Sequence, residues 1–185
     1  MLNTKDLAVA GLSAFLVRHG ISTDSWGVGN TKTPRHLLGE VVAGECVFAR
    51  TEDGRLVREI SVLGLDILRD GLVLEEDFQL FYEDNRPRKR KLDSSTGEKL
   101  LPGETPEQAL NRLVEEEFPI LRLQPKESFR RIGERFRESD SKSYPGLTTR
   151  YRFHFFAVEL SMELPPITVQ ESDKLVAYKW VPRQG

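Results

Sequence analysis

Residues 97–120 read GEKLLPGETPEQALNRLVEEEFPI, and this stretch decides how the rest of the chain is understood. It opens as a turn-rich loop and becomes a helix at Thr105, a good N-cap, with Pro106 suited to the first helical position and Gln108 placed to close a capping box. The helix is predicted from about Pro106 to about Phe118, and Pro119 stops it. On a 3.6-residue period Ala109, Leu110, Leu113 and Val114 make one apolar stripe. Glu117 falls inside that stripe and Glu116 on its edge, whereas Glu107 and Glu115 point away. A carboxylate facing a core without a partner costs several kcal/mol, so Glu117 is expected to be protonated, paired with a cation or bound to a metal.

These residues resemble the Nudix box, G(x5)E(x7)REUxEExGU with U a bulky aliphatic residue. Glu104, Arg112, Val114, Glu116, Glu117 and Ile120 fall in register with it, and PGETPEQAL is similar to the family's approach to the helix. Three positions depart from the pattern. Glu98 stands at the first glycine, with Gly97 one place early; Pro119 replaces the late glycine; Leu113 replaces the glutamate after the arginine. In the family that glutamate belongs to the carboxylate cluster that binds divalent metals.

The resemblance implies an α+β fold, a mixed sheet packed between helices, and hydrolysis of a nucleoside-diphosphate-linked compound. Splitting a pyrophosphate needs a cation on the phosphate oxygens, a positioned water and a base. Glutamate oxygens suit Mg²⁺ or Mn²⁺, and Mg²⁺ sites often use only one or two carboxylates. By resemblance, Glu116 and Glu117 hold the metal, Arg112 orients them as part of the catalytic set, and Gly103 and Glu104 support the loop. A second reading stays open: a relative that has lost hydrolysis and binds a nucleotide, an RNA end or a protein. Leu113 favours that reading; Glu117 on an apolar stripe favours the enzyme.

With 185 residues, 38% hydrophobic and 30% charged, the chain is long enough for one domain with a real core. A formal net charge of -2 argues against general nucleic-acid binding, and the resemblance implies a small nucleotide or pyrophosphate compound as the expected partner. The single cysteine, Cys46, excludes an internal disulfide framework and fits a reducing, cytoplasmic setting. Leu7 to Val17 is apolar but too short to span a bilayer, and Arg18 and His19 stand where a signal peptide would need small residues. It reads as a packed helix ended by Gly20. Thr33 and Pro34 start a second helix with Leu37, Leu38, Val41 and Val42 on its apolar face, ended by Gly44. Residues 1–44 are therefore expected to be a helical extension, and 45–185 the Nudix-like domain. The connector around Trp26, with Lys32, reads as an anchored loop more than a phosphate cradle.

From Glu45 onward the period becomes alternating. Cys46 to Ala49, Leu56 to Leu68 and Leu72 to Tyr82 are strand candidates, and the Asp-Gly steps at 53–54 and 70–71 suggest an antiparallel meander. Phe78, Leu80 and Tyr82 share one face of the third strand, opposite Gln79 and Phe81. A basic run follows, Arg86, Arg88, Lys89, Arg90 and Lys91, which reads as solvated. Beyond the box, Phe129 to Phe136 is ambiguous between strand and helix, and residues 139–149 form a polar loop long enough for a lid. In the strand Arg150 to Leu160, Tyr151, Phe153 and Phe155 alternate with Arg150, Arg152 and His154, three candidate substrate-binding residues that face an anionic pocket or solvent. After Pro165-Pro166, Glu171 and Asp173 are candidate outlying carboxylates before a final strand at Ala177 to Val181.

Overall fold

The computed structural model describes residues 4–83, 85–89, 92–161, 164, 167–171 and 174–183, with side chains from residue 8 onward. Arg90, Lys91, Pro165, Pro166 and Asp173, on which expectations fell, lie outside the described residues. The chain forms two compact units: Met1–Ser61 with Leu100–Gly103 and Arg135–Arg152, and Val62–Lys99 with Glu104–Glu134 and Phe153–Gly185.

The first unit begins with helices α1 (Thr4–Arg18) and α2 (Pro34–Val42). Gly20, at φ +77, turns the chain at the end of α1, where the Ile21 N–H reaches back to the Leu16 carbonyl at 3.0 Å. Thr33 caps α2 and receives the His36 N–H, while the His36 ring answers the Thr33 N–H at 3.1 Å, a capping box closed by imidazole. Strand β1 (Val47–Arg50) pairs antiparallel with the first residues of β2 (Leu56–Arg69), Val47 opposite Glu59 and Arg50 opposite Leu56.

Around α2 lies a buried polar knot. The Glu40 carboxylate accepts from Lys32 Nζ at 2.7 Å, from the Tyr144 hydroxyl at 3.0 Å and from the Arg58 guanidinium. Arg58 also lies 5.1 Å from the Tyr144 ring centroid, and the Trp26 ring is 5.0 Å from that of Tyr144. Trp26 donates its indole N–H to the Pro145 carbonyl at 2.9 Å. Lys32 is thus engaged with a carboxylate, in keeping with an anchored connector.

This knot overturns the expected lid. Strands β6 (Phe129–Asp140) and β7 (Thr148–Glu159) extend into the polar segment and leave only residues 141–147 between them. Within that turn Tyr144 and Leu147 are completely buried. Side-chain polarity suggested a mobile loop, but two large residues there pack into the core and hold it closed.

The second unit holds residues 129–134 of β6, 153–159 of β7 and 62–69 of β2, and its strands are ordered β6, β7, β2, β3 (Leu72–Phe81), β9 (Lys174–Pro182) and β8 (Thr168–Gln170), with the short β4 (Pro87–Arg88) on β3 and β5 (Thr96–Lys99) on β2. The Asp70-Gly71 step takes φ +47 and +76, the left-handed pair of a type I′ hairpin, and brings Arg69 opposite Leu72. β9 pairs antiparallel with β3 along its length. β7 instead runs alongside β2 in the same sense: Phe155 packs against Gly64, and the Leu160 N–H bonds the Leu68 carbonyl at 2.8 Å. The sheet is therefore mixed and the fold α+β, as expected. A Cβ at Gly64 would lie 2.8 Å from the Phe155 ring, which accounts for glycine there.

A bulge interrupts β3 between Glu76 and Phe78; past it Gln79 is buried, and Tyr82, beyond the strand, is exposed. One strand reading changes. In β7 the alternation fails: Phe153, His154, Phe156, Ala157 and Val158 are all buried, as in a strand covered on both faces. No helix among the described residues is long and apolar enough to cross a membrane.

Candidate active site

Helix α3 (Pro106–Glu116) carries the candidate site, and its start is built from the sequence. Thr105 receives the Gln108 N–H at 3.2 Å and the Gln108 side chain receives the Thr105 N–H at 2.7 Å. Ala109, Leu110, Leu113 and Val114 are buried, so the expected stripe is the one that packs. Just before the helix Gly103 takes φ +75, a backbone setting that a Cβ disfavours.

Arg112 is the hub of the charged groups. Its Nε meets Glu104 Oε1 and its Nη2 meets Glu104 Oε2, both at 3.0 Å, a bidentate fork. Nη2 also donates to the Lys99 carbonyl at 2.9 Å, tying the helix to the end of β5. Nη1 lies 3.6 Å from Glu98 and 3.8 Å from Glu116. The hydrogen bonds that Arg112 donates to Glu104, followed by the charges of Glu98, Glu104 and Glu116, hold the guanidinium above its ordinary pKa against the opposing effect of burial.

The two glutamates expected to act as a pair are placed differently. Glu116 sits on the last turn with its side chain 64% exposed, leaning toward Arg112. Glu117 is the C-cap, half-buried, and accepts the Thr96 hydroxyl at 3.2 Å. Burial first, then the charges of Glu98 and Glu171, raise the Glu117 carboxyl to a pKa of about 7; the Thr96 bond and Lys174 pull the other way. Leu113 is 1% exposed, so the helix position that carries a glutamate in the box is part of the core.

The three expected substrate contacts are matched within their own strand pair. In the first unit Arg150 bonds Glu138 at 2.6 Å and lies 3.8 Å from Glu59, and Arg152 stacks over the Phe136 ring at 5.6 Å. In the second, His154 is 4% exposed, with Nδ1 3.3 Å from Glu134. The neighbouring strand β6 supplies an acid or an aromatic opposite each of them, which a single-strand reading does not register. Arg150 and Arg152 also line a cavity of about 520 Å³ together with Glu59, Phe136 and Glu138, whereas His154 is buried.

Sequence reasoning passed over Glu98. It registered there only as a missing glycine, although the substitution also adds a carboxylate two residues along β5 from Thr96. Glu171, an outlying candidate, pairs with Lys174 and is close enough to bear on Glu117. Among the described residues no group of three or more His, Cys, Asp or Glu side chains stands ready-made around a single point.

Among curated proteins nothing matches. Of solved structures, the chain is similar to a binary complex of a C. elegans Ap4A hydrolase at 19% identity, covering 66% of this chain and 80% of that one with a TM-score of 0.39. It is similar to the E. coli ORF135 protein at 19% identity, covering 66% and 72% with a TM-score of 0.36. It is similar to the M. smegmatis Nudix hydrolase RenU at 17% identity, covering 74% and 79% with a TM-score of 0.32. The family model for the NUDIX domain matches residues 58–184, the greater part of the sequence and all of the loop, helix and strands just described, and the chain therefore belongs to the Nudix family.

Proposed function

We propose that this protein is a metal-dependent hydrolase of a pyrophosphate linkage in a nucleoside-diphosphate-linked compound, built as a Nudix domain over residues 45–185 with a helical extension over 1–44. The observation that carries the reading is Glu117, a half-buried carboxylate whose ionisation is opposed by burial and by two further carboxylates. A surplus of hard, partly desolvated oxygen donors fits Mg²⁺ or Mn²⁺, which retain waters and need few protein ligands. By that donor chemistry the residues fit the group, with Glu116 and Glu117 holding it. When bound, such a cation supplies charge neutralisation at the phosphate oxygens and a more acidic water.

The chain's own residues do the remaining work. Arg112 fixes Glu104 through its fork and leans on Glu116, which keeps the last turn of α3 facing β5. Thr96 orients Glu117 by donating to its Oε2. Near neutral pH the Glu117 carboxyl is poised to exchange its proton, and a cation held there would favour its ionised form. Arg150 and His154 are engaged with Glu138 and Glu134, while Arg150 and Arg152, which line a cavity, are the candidate substrate contacts of that strand. Cys46, a buried thiol outside any disulfide, supports a reducing, cytoplasmic setting.

One observation favours the second reading, a nucleotide-binding module without turnover: Leu113, where the box has a glutamate, is sealed in the core. The deciding experiment is turnover of a panel of dinucleoside polyphosphates and nucleoside diphosphate sugars with Mg²⁺ or Mn²⁺, beside Glu116→Gln and Glu117→Gln. Metal-dependent turnover lost in both variants supports the hydrolase. Calorimetric nucleotide binding without turnover supports the module, and absence of both turnover and Mn²⁺ binding removes the hydrolase reading.

A further inference from the structure

Glu59 and Ser61 on β2, Arg150 and Arg152 on β7, and Phe136 and Glu138 on β6 line the cavity of about 520 Å³, and all six lie in the first unit. Residues two apart on a strand share a face, so the six make two rows across three strands. In the first row Arg150 stands between two acids, 2.6 Å from Glu138 and 3.8 Å from Glu59. In the second, Arg152 lies over the Phe136 ring at 5.6 Å, and Ser61 takes the place on β2. Arg137 and Tyr151 alternate to the opposite face, where the guanidinium lies 5.2 Å from the ring centroid.

Two arginines and two glutamates cancel on this face, which does not favour a run of phosphates. Phe136 is 71% exposed, so folding leaves a flat apolar ring, with a guanidinium laid on it, in the wall of a cavity. An uncharged planar ring is the ligand that such a surface takes, because it covers the phenyl and stacks with the guanidinium. The Glu59 side chain is 43% exposed, and at 3.8 Å its carboxylate is too far from Arg150 for a hydrogen bond. A carboxylate accepts two bonds side by side, and guanine is the nucleobase with two neighbouring N–H donors on one edge.

We propose that this face binds a guanine base, stacked on the layer of Arg152 and Phe136, with Glu59 accepting from its N1–H and its exocyclic amino group. The inference rests on Arg150 and Arg152 as substrate contacts and deepens that reading by naming the base.

The test is calorimetric binding of GMP to the full chain in excess EDTA, beside AMP and ribose 5-phosphate. Wild type is expected to bind GMP about tenfold tighter than AMP, and ribose 5-phosphate more weakly than either. Phe136→Ala should weaken GMP binding about tenfold, and Phe136→Tyr should keep it. Glu59→Gln should bring GMP down to the level of AMP and leave AMP unchanged. Phe136 and Glu59 are both open to solvent, so neither change strips the core, and circular dichroism checks that each variant is folded. Absence of GMP binding, equal binding of ribose 5-phosphate, or wild-type affinity in Phe136→Ala overturns the base site. The hydrolase reading then still rests on its metal-dependent turnover. Equal binding of GMP and AMP overturns the guanine assignment. GMP binding as expected, with neither turnover nor Mn²⁺ binding, supports the base site and removes the hydrolase.

Discussion

Arg112 grips Glu104 with two N–H···O bonds of equal length, Nε to Oε1 and Nη2 to Oε2, each 3.0 Å, across the loop that leads into α3. A planar guanidinium makes this fork and an ammonium does not. Arg112→Lys keeps the charge but loses one arm and the bond to the Lys99 carbonyl. It is expected to cost about 2 kcal/mol in urea unfolding, the range for hydrogen bonds to charged groups. Turnover should fall further than stability accounts for, because the last turn of α3 loses its register against β5. A variant with wild-type stability and wild-type turnover would show that the fork positions nothing.

Glu117 makes stability depend on pH. Its folded-state pKa of about 7 lies above the ordinary carboxylate value, so between roughly pH 4.5 and 7 the folded chain binds more protons than the unfolded chain. Stability should therefore fall as pH rises through that window. Glu117→Gln removes the penalty, and its advantage over wild type should grow from near zero at pH 4 to on the order of 2–3 kcal/mol at pH 8. The measurement is the urea midpoint at both pH values without metal. Adding Mn²⁺ at pH 8 should raise the wild-type midpoint and leave Glu117→Gln much less affected.

Returning a glutamate to the helix should fail on packing grounds. Leu113 is 1% exposed, so Leu113→Glu places a carboxylate where its only favourable form is neutral or paired. A loss of about 3 kcal/mol or more is expected, read as a drop in thermal midpoint. A gain of activity with unchanged stability would show that this face of α3 is open after all.

The turn between β6 and β7 is held by the Tyr144 hydroxyl, which donates to Glu40 at 3.0 Å inside the buried knot. Burial first, then that carboxylate, raise the Tyr144 pKa far above its ordinary value, so the phenol stays a donor. Tyr144→Phe should cost about 1–3 kcal/mol, because Glu40 loses one partner while remaining buried. Limited proteolysis should cut residues 141–147 slowly in wild type and faster in the variant. Rapid cleavage of wild type would restore the lid.

Local rules wrote much of this chain into its sequence. Thr105, Pro106 and Gln108 start α3 where capping chemistry says they must, the 3.6-residue stripe that packs is the one that was legible, and Asp70-Gly71 makes the hairpin that its φ preferences demand. The spacing of Glu104, Arg112, Glu116 and Glu117 was enough to identify the family. What only the tertiary structure decided were the partners of charges and the covering of faces. Arg150 and His154 had no legible partners until β6 placed Glu138 and Glu134 beside them, and residues 139–149 read as a polar loop long enough for a lid until Tyr144 and Leu147 were seen in the core. Glu98 looked like a lost glycine until β5 turned it toward Arg112. Capping and periodicity act within one turn or one strand, so a sequence displays them directly; ion pairing and burial join residues far apart in the chain, and nothing short of the folded backbone brings those residues within a few ångströms.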